Sequence, residues 1–359
     1  MRIPVIIAAF LATSVIAGPV EKRAGCTVTS YDQVAGAKNC TAIVIQGPFT
    51  VPANMKIDLT GLKTGTTVNF IGTITFAKGN LNRDSVLLTI GGANIKVDGS
   101  KGTLNGSGPE YWDGKGGNGG VPKPIFIRFN GMSGSVNGLN VVGSPVQTIS
   151  INGCNGLTVT NVTIDNRGPK YRLAHNTDGI DVSGNSKDIT ISGAKIYNND
   201  DCLAINTGSN IAFTDSYCSG GHGISIGSIK NNSVVDGVVI ARCTVVSSDN
   251  AVRIKAYGNA IGGRVNNVTY TDIAVSGINK YGIIIQQDYN NAGATGHPGG
   301  ASLITNVNIN NVHGSMARGR GKGVYILCAN CSKFNFQNIA VTGGSAHSCT
   351  GISPKPTGC

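Results

Sequence analysis

Four short motifs hold residue types that can do chemistry together: Asn176-Thr177-Asp178, Asp200-Asp201-Cys202, Gly221-His222-Gly223 and Arg253-Ile254-Lys255. The first Asp, the Asp pair and the His recur at 22-residue intervals (178, 200, 222). That is about one coil of a stacked β-solenoid, so each is expected roughly one strand spacing, ~4.8 Å, above the last. Cleavage of a glycosidic bond needs one carboxylic acid to protonate the leaving oxygen and one carboxylate to activate water or attack the sugar. Asp178, Asp200 and Asp201 are three candidates, and clustering with partial burial raises the pKa of one member so that it stays protonated. In an ideal strand Asp200 and Asp201 point to opposite faces, so both reach one cleft only if the backbone bends there. A solvated turn over Asn198-Asn199-Asp200-Asp201 is the competing explanation; it leaves the matched interval unexplained.

His222 lies between glycines, where backbone can approach a ligand closely, and its register separates it from His175, His297, His313 and His347, which read as structural or surface residues. No second His or Cys stands at zinc-like spacing, so neither a metal nor another cofactor is expected. Arg253 and Lys255 are two apart, which on a strand places both on one side with Ile254 toward the core. Two cations there suit a sugar carboxylate, Arg as a bidentate fork and Lys as a point charge. An acidic sugar polymer is the implied partner. The chain's net charge of +11 agrees. No Lys/Arg run is interleaved with aromatics, which argues against nucleic acid.

The elements that must position these residues are short alternating runs such as Leu157-Thr-Val-Thr-Asn-Val-Thr-Ile164, Asp188-Ile-Thr-Ile-Ser-Gly-Ala-Lys-Ile196 and Asn267-Val-Thr-Tyr-Thr-Asp-Ile-Ala-Val275. Inward Ile and Val alternate with outward Thr, Asn and Ser, which is strand periodicity. The 52 Gly against 12 Pro suit tight corners. This predicts an all-β, single-domain solenoid over 24–359 with one continuous core. A short helix within Tyr31 to Ala37 is expected to cap its first coil. Two loop-rich insertions, Gly99 to Pro122 with the lone Trp112 and Gln286 to Gly300, are placed to wall a cleft. Trp112 is read first as a packing anchor and second as a sugar platform.

At the start, Met1 to Gly18 reads as a secretory signal peptide, and 19–23 as a short pro-peptide ending at the dibasic Lys22-Arg23. No other stretch reads as membrane-spanning, so a secreted, extracellular monomer is expected. Ten cysteines in an exported chain favour disulfides. The local pairing is Cys26–Cys40, Cys202–Cys218, Cys328–Cys331 and Cys349–Cys359, which leaves Cys154 and Cys243 as buried thiols. Sequons at Asn39, Asn105, Asn161, Asn231, Asn267 and Asn330 permit glycosylation.

With all four motifs in order, the chain resembles the fungal-type polygalacturonases, family 28 of the glycoside hydrolases, over essentially its whole mature length. The resemblance implies a right-handed parallel β-helix and inverting hydrolysis of α-1,4-galacturonosyl bonds in polygalacturonate, the backbone of pectin, at internal positions. It further implies Asp200 as general acid, Asp178 and Asp201 activating water, and His222 supporting the site. Arg253 and Lys255, with Tyr289 and Asn176, would contact substrate. Asn198-Asn199 departs from the family's Asn-Gln. Asp249 replaces a longer acid, and Lys280 stands where an acid is frequent, which leaves outer-subsite preference open. Alternatives are exo action, a pectate lyase, which would need calcium, and a non-catalytic polymer-binding solenoid.

Overall fold

The computed structural model describes residues 25–319 and 321–359. The expected signal peptide and pro-peptide lie outside the described residues. The alternating runs form strands, and all the strand pairings are parallel: one sheet of 17 strands and one of 11 are wound by a single chain into a right-handed β-helix. Apolar residues of successive coils stack on each other inside. One column runs Leu88, Ile127, Ile149, Ile180, Leu203, Ile224, Val252, Ile283 and Val324, all with no solvent exposure. Each such side chain contributes about 1.5–3 kcal/mol through burial, so the stack, not any one strand, holds the coils together.

The first coil is closed by a 3₁₀ turn at Tyr31–Gln33 and a one-turn helix at Val34–Ala37, as expected. Val34 and Ala37 are buried against the core, and the Cys26–Cys40 bridge closes the loop around them. The other three disulfides also join the expected partners, with Cα–Cα separations of 5.8 Å. Cys154 and Cys243 are buried thiols. Trp112 is buried and its indole N–H donates to the Ser144 carbonyl (2.9 Å), so the ring is a packing anchor and offers no platform to sugar.

Candidate active site

The 11-stranded sheet carries the site on its outward face. One residue out of phase with the Ile column, Arg128, Ser150, Asp181, Ala204, Ser225 and Arg253 succeed one another coil by coil. The simple 22-residue step needs correction here. Ile180 pairs with Leu203, 23 residues on, and Leu203 with Ile224, 21 on. Continued back two residues, that register aligns Asp178 with Asp201 rather than with Asp200. The carboxylates therefore form a staggered cluster, not a single file.

The bend that turns both Asp200 and Asp201 to one side is made by Asn198. Its buried amide donates to the carbonyls of Thr177 (3.0 Å), Asp200 (2.9 Å) and Asp201 (2.8 Å), three acceptors that a straight strand would not converge. Thr177 completes the fold of the turn, donating to Ala174 O (2.8 Å) and accepting from Asn199 N (3.0 Å). On the next coil, a Cβ on Gly221 would lie 2.0 Å from Asp200 O, so only glycine lets the His222 turn approach this closely.

The result is a cleft of about 650 Å³ whose lining includes Asp178, Asp181, Asp200, Asp201, His222, Arg253, Lys255 and Tyr289. Loop residues Asn118 on one side and Asn290 to Ala294 on the other contribute its walls, as the two insertions led one to expect. Asp200 accepts from His222 Nδ1 at 3.0 Å, from Asn176 Nδ2 at 2.9 Å and from Asp201 N at 2.7 Å. Asp201 is buried and bonded on both oxygens: Ser225 Oγ donates at 2.6 Å, Lys255 Nζ lies 2.5 Å away and Arg253 Nη1 3.5 Å away.

These surroundings split the carboxyls into two kinds. Burial, then the neighbouring Asp200, Asp181 and Asp201 charges, push Asp178 well above the usual carboxylate range. Burial, then the Asp201 and Asp200 charges, push Asp181 up to about 7. Burial also acts upward on Asp200, but His222, Lys255 and the Asp201 amide outweigh it and hold that carboxyl low. His222 moves the other way: desolvation opposes its charge, and the Asp200 and Asp201 carboxylates outweigh desolvation and raise it. A low-pH form with protons on Asp178 and on His222, and negative charge on Asp200, follows from these directions.

Arg253 and Lys255 lie on the strand Asn250–Tyr257 with Ile254 fully buried between them, as their spacing requires. Both point at Asp201, and both stand over the Tyr289 ring, 5.5 and 5.3 Å from its centroid. Lys255 has three donors and Arg253 five, so pairing with Asp201 leaves each with hydrogens for a ligand. Buried Asp178 Oδ1 and Arg253 Nε have no hydrogen-bond partner among the described residues. Asp200, Asp201 and His222 also bring one donor atom each within 4.8 Å of one another, the only such group among the described residues. Donors already face those atoms: His222 Nδ1 bonds Asp200, and Ser225 Oγ and Lys255 Nζ bond Asp201.

Beyond His222, Asp249 Oδ2 lies 3.9 Å from His222 Nε2 and pairs with exposed Lys280 at 2.7 Å. Asp181, Asn198 as the shaper of the turn, Ser225 and Arg83 were not identified as site residues by motif. Asp181 had a usable signal: it stands at an outward position of Ile180–Ser183, in line with Ala204, Ser225 and Arg253 on the next three strands of the sheet. Arg83, held by Gln147 Oε1 at 3.2 Å, comes from a loop with no sequence mark of its own.

The family model for glycosyl hydrolases family 28 matches residues 40–359. The chain is 46% identical over 350 residues to a polygalacturonase of Cochliobolus carbonum, covering 95% of this chain and 94% of that protein. It is 46% identical to an endo-polygalacturonase of Sclerotinia sclerotiorum, covering 93% and 88%. Among solved structures, endopolygalacturonase I from Stereum purpureum complexed with two galacturonate superposes with a TM-score of 0.85 at 39% identity, covering 92% of this chain and 98% of that one.

Proposed function

The chain belongs to family 28 of the glycosyl hydrolases, and from that membership and the cleft we propose that it hydrolyses internal α-1,4-galacturonosyl bonds of polygalacturonate. It is an endo-polygalacturonase. The observation that carries the chemistry is the cluster of Asp178, Asp200 and Asp201 against Arg253 and Lys255: acids and bases for glycoside cleavage beside cations for an acidic sugar. A time course on polygalacturonate tests it. Viscosity should fall steeply while few reducing ends have formed; reducing ends rising in step with free galacturonate would point to exo action instead, and products absorbing in the ultraviolet to a lyase.

For the roles of the carboxyls, motif resemblance supports Asp200 as general acid, with Asp178 and Asp201 activating water for inversion. Substrate supplies the proton-holding condition that the free cleft lacks. A polyanion expels water and brings like charge to Asp200, and both raise its pKa. The His222–Asp200 contact then offers the proton a route of 3.0 Å. A second assignment is favoured by the upward push on Asp178, which makes Asp178 the carboxyl already protonated in the free cleft. An aryl galacturonide with an acidic phenol separates them, because a good leaving group needs no acid. Asp200→Asn should regain most of its lost rate on that substrate and Asp178→Asn should not; the reverse pattern would hand the acid role to Asp178.

We also infer secretion, supported by the apolar leader, the dibasic Lys22-Arg23 and four disulfides. N-terminal sequencing of protein from the culture medium should begin at Ala24.

A further inference from the structure

An amide beside a catalytic carboxyl favours the ionised form if it presents NH₂ and the protonated form if it presents oxygen. Asn176 is such an amide, and its orientation is fixed from behind. The Gly117 backbone N–H, which can only donate, points at Asn176 Oδ1 (3.0 Å), leaving Nδ2 to donate to Asp200 Oδ2 (2.9 Å). Gly117 belongs to the loop that walls the cleft, and that loop is organised around one carboxylate. Asp113 accepts from Lys115 N (3.0 Å) and Val121 N (2.7 Å), and pairs with Lys123 Nζ (2.8 Å), which is itself buried and also donates to Val121 O (2.8 Å). Gly114 N donates to Leu173 O (3.1 Å), tying the loop to the segment that leads into Asn176. The fit has no slack at either end: a Cβ on Gly116 would lie 2.2 Å from Asn176 Oδ1, and one on Gly120 2.1 Å from Asp113 Oδ2.

We propose that Asp113 is a positioning residue for hydrolysis: it sets the loop so that the Gly117 N–H locks the Asn176 amide with its NH₂ on Asp200. Asp113 touches neither the reacting atoms nor the cleft acids, so it acts only through Gly117 and Asn176. The proposal rests on the reading of Asp200 as a reacting group in polygalacturonate hydrolysis. When the lock is lost the amide is free to turn its oxygen toward Asp200, which bonds only a protonated carboxyl. Around Asp200 the remaining charged groups are Asp178 and Asp181 from the coil below, Asp201 beside it, His222 with Asp249 and Lys280 behind it, and Arg253, Lys255 and Tyr289 from the strands beyond. None of them contacts Asp113, so their contribution is common to wild type and variant.

The test compares kcat and KM against pH on polygalacturonate for wild type, Asp113→Asn, Asp113→Glu and Gly117→Pro. The last removes the N–H donor and also adds a Cβ 2.7 Å from Arg83 Nη1, so Gly117→Ala, which adds that Cβ and keeps the N–H, is read beside it as the control. The limb of the kcat profile that Asp200 controls should move up by about one pH unit in Asp113→Asn and in Gly117→Pro, the size expected when a carboxylate loses one charge-assisted donor. KM should change less than kcat, and Asp113→Glu should lie nearer wild type than Asp113→Asn. Wild-type turnover in the same assay carries the functional reading by itself; the shift between variants carries this one. Unmoved limbs with a kcat loss that tracks the folded fraction would reduce Asp113 to a structural residue. A shift in Asp113→Asn that Gly117→Pro does not reproduce would also overturn the proposal, because the route through Gly117 would then be unused.

Discussion

Along the 17-stranded sheet every coil from the strand Asn155–Thr160 onward turns through a left-handed residue at the same two levels. One column is Gly156, Asp188, Asn210, Gly237, Asn267, Asn306 and Lys333; the other is Asn161, Gly193, Asp215, Arg242, Asp272, Asn311 and Asn338. Asn and Asp recur there because they tolerate positive φ and can bond their neighbours on adjacent coils, as Asn210 does to Asp188 (2.9 Å) and Asn311 to Asp272 (2.7 Å). The 11-stranded sheet repeats its inward Ile column with equal regularity, but its outward column, Arg128 to Arg253, changes chemistry at each step. Corner chemistry that recurs keeps the coils in step, which frees the opposite face to hold charges that would destabilise a fold depending on them. Substitutions on the two faces should therefore separate activity from stability.

The largest separation is expected at Asp200. Asp200→Asn keeps the shape and the His222 contact and removes a transferable proton, so kcat should fall by about 10²–10⁴, with only a modest drop in the denaturation midpoint from the new NH₂ facing Asn176 Nδ2. Near-wild-type kcat would remove Asp200 from the reaction altogether. Lys255→Met comes next. Loss of a charge-assisted contact to the substrate carboxylate corresponds to roughly ten- to a hundredfold in kcat/KM on polygalacturonate, and less on highly methyl-esterified pectin, where the partner is already gone. This variant also takes from the buried Asp201 carboxylate its nearest cation and leaves it only Ser225 and the more distant Arg253, so it should lose more stability than Asp200→Asn. An equal fold-loss on both substrates would assign Lys255 to holding Asp201 alone.

A pH titration of stability sharpens the same contrast from the charged side. Asp181 is raised to about 7 and Asp178 is raised as well, whereas an unfolded Asp titrates near 3.9. Between those values the folded protein binds more protons than the unfolded chain, so stability should fall as pH rises from about 4 to 7. Asp113, pulled low by Lys123 and by two backbone amides that together outweigh its desolvation, has the opposite sign: its contribution is present above the unfolded value and is lost as pH falls below it. Asp181→Asn should flatten the loss between pH 4 and 7 in thermal scans. A wild-type midpoint that does not fall across that window, or a variant that falls as steeply, would contradict the carboxyl cluster as described.

Much of this was legible in the sequence, and for a physical reason. Strand alternation and the order of the four motifs are local patterns, and stacking converts them directly into a core and a wall. The offset between Asp178 and Asp201 was not legible, because turn lengths of 23 and 21 residues average to the same 22 while shifting the stagger. Asp181 is only half legible for a related reason: alternation marks it as outward in Ile180–Ser183, but its place in the cleft shows only once that strand is stacked in line with Ser225 and Arg253. The Asn-rich corners could be read as turns, but their left-handed conformation is a property of the stacked column. The Asp113 loop belongs to neither pattern, since a carboxylate that gathers two amides and a buried lysine leaves no periodic trace.

The smallest effect tests the corner columns themselves. Asn311 has φ 53° and donates to Asp272 on the neighbouring coil, far from the cleft lining. Alanine at that conformation costs about 1–2 kcal/mol for its Cβ alone, while glycine removes the bond and bears no such strain. Asn311→Gly should therefore be closer to wild type than Asn311→Ala, and the gap between the two isolates conformation from hydrogen bonding. Both should turn over polygalacturonate at wild-type kcat. Denaturant midpoints measured beside kcat for the two variants decide the matter. Equal midpoints would mean that the side-chain ladder, not the left-handed backbone, keeps these coils in step, and a loss of kcat would mean that the long sheet and the cleft are not as separable as the two faces suggest.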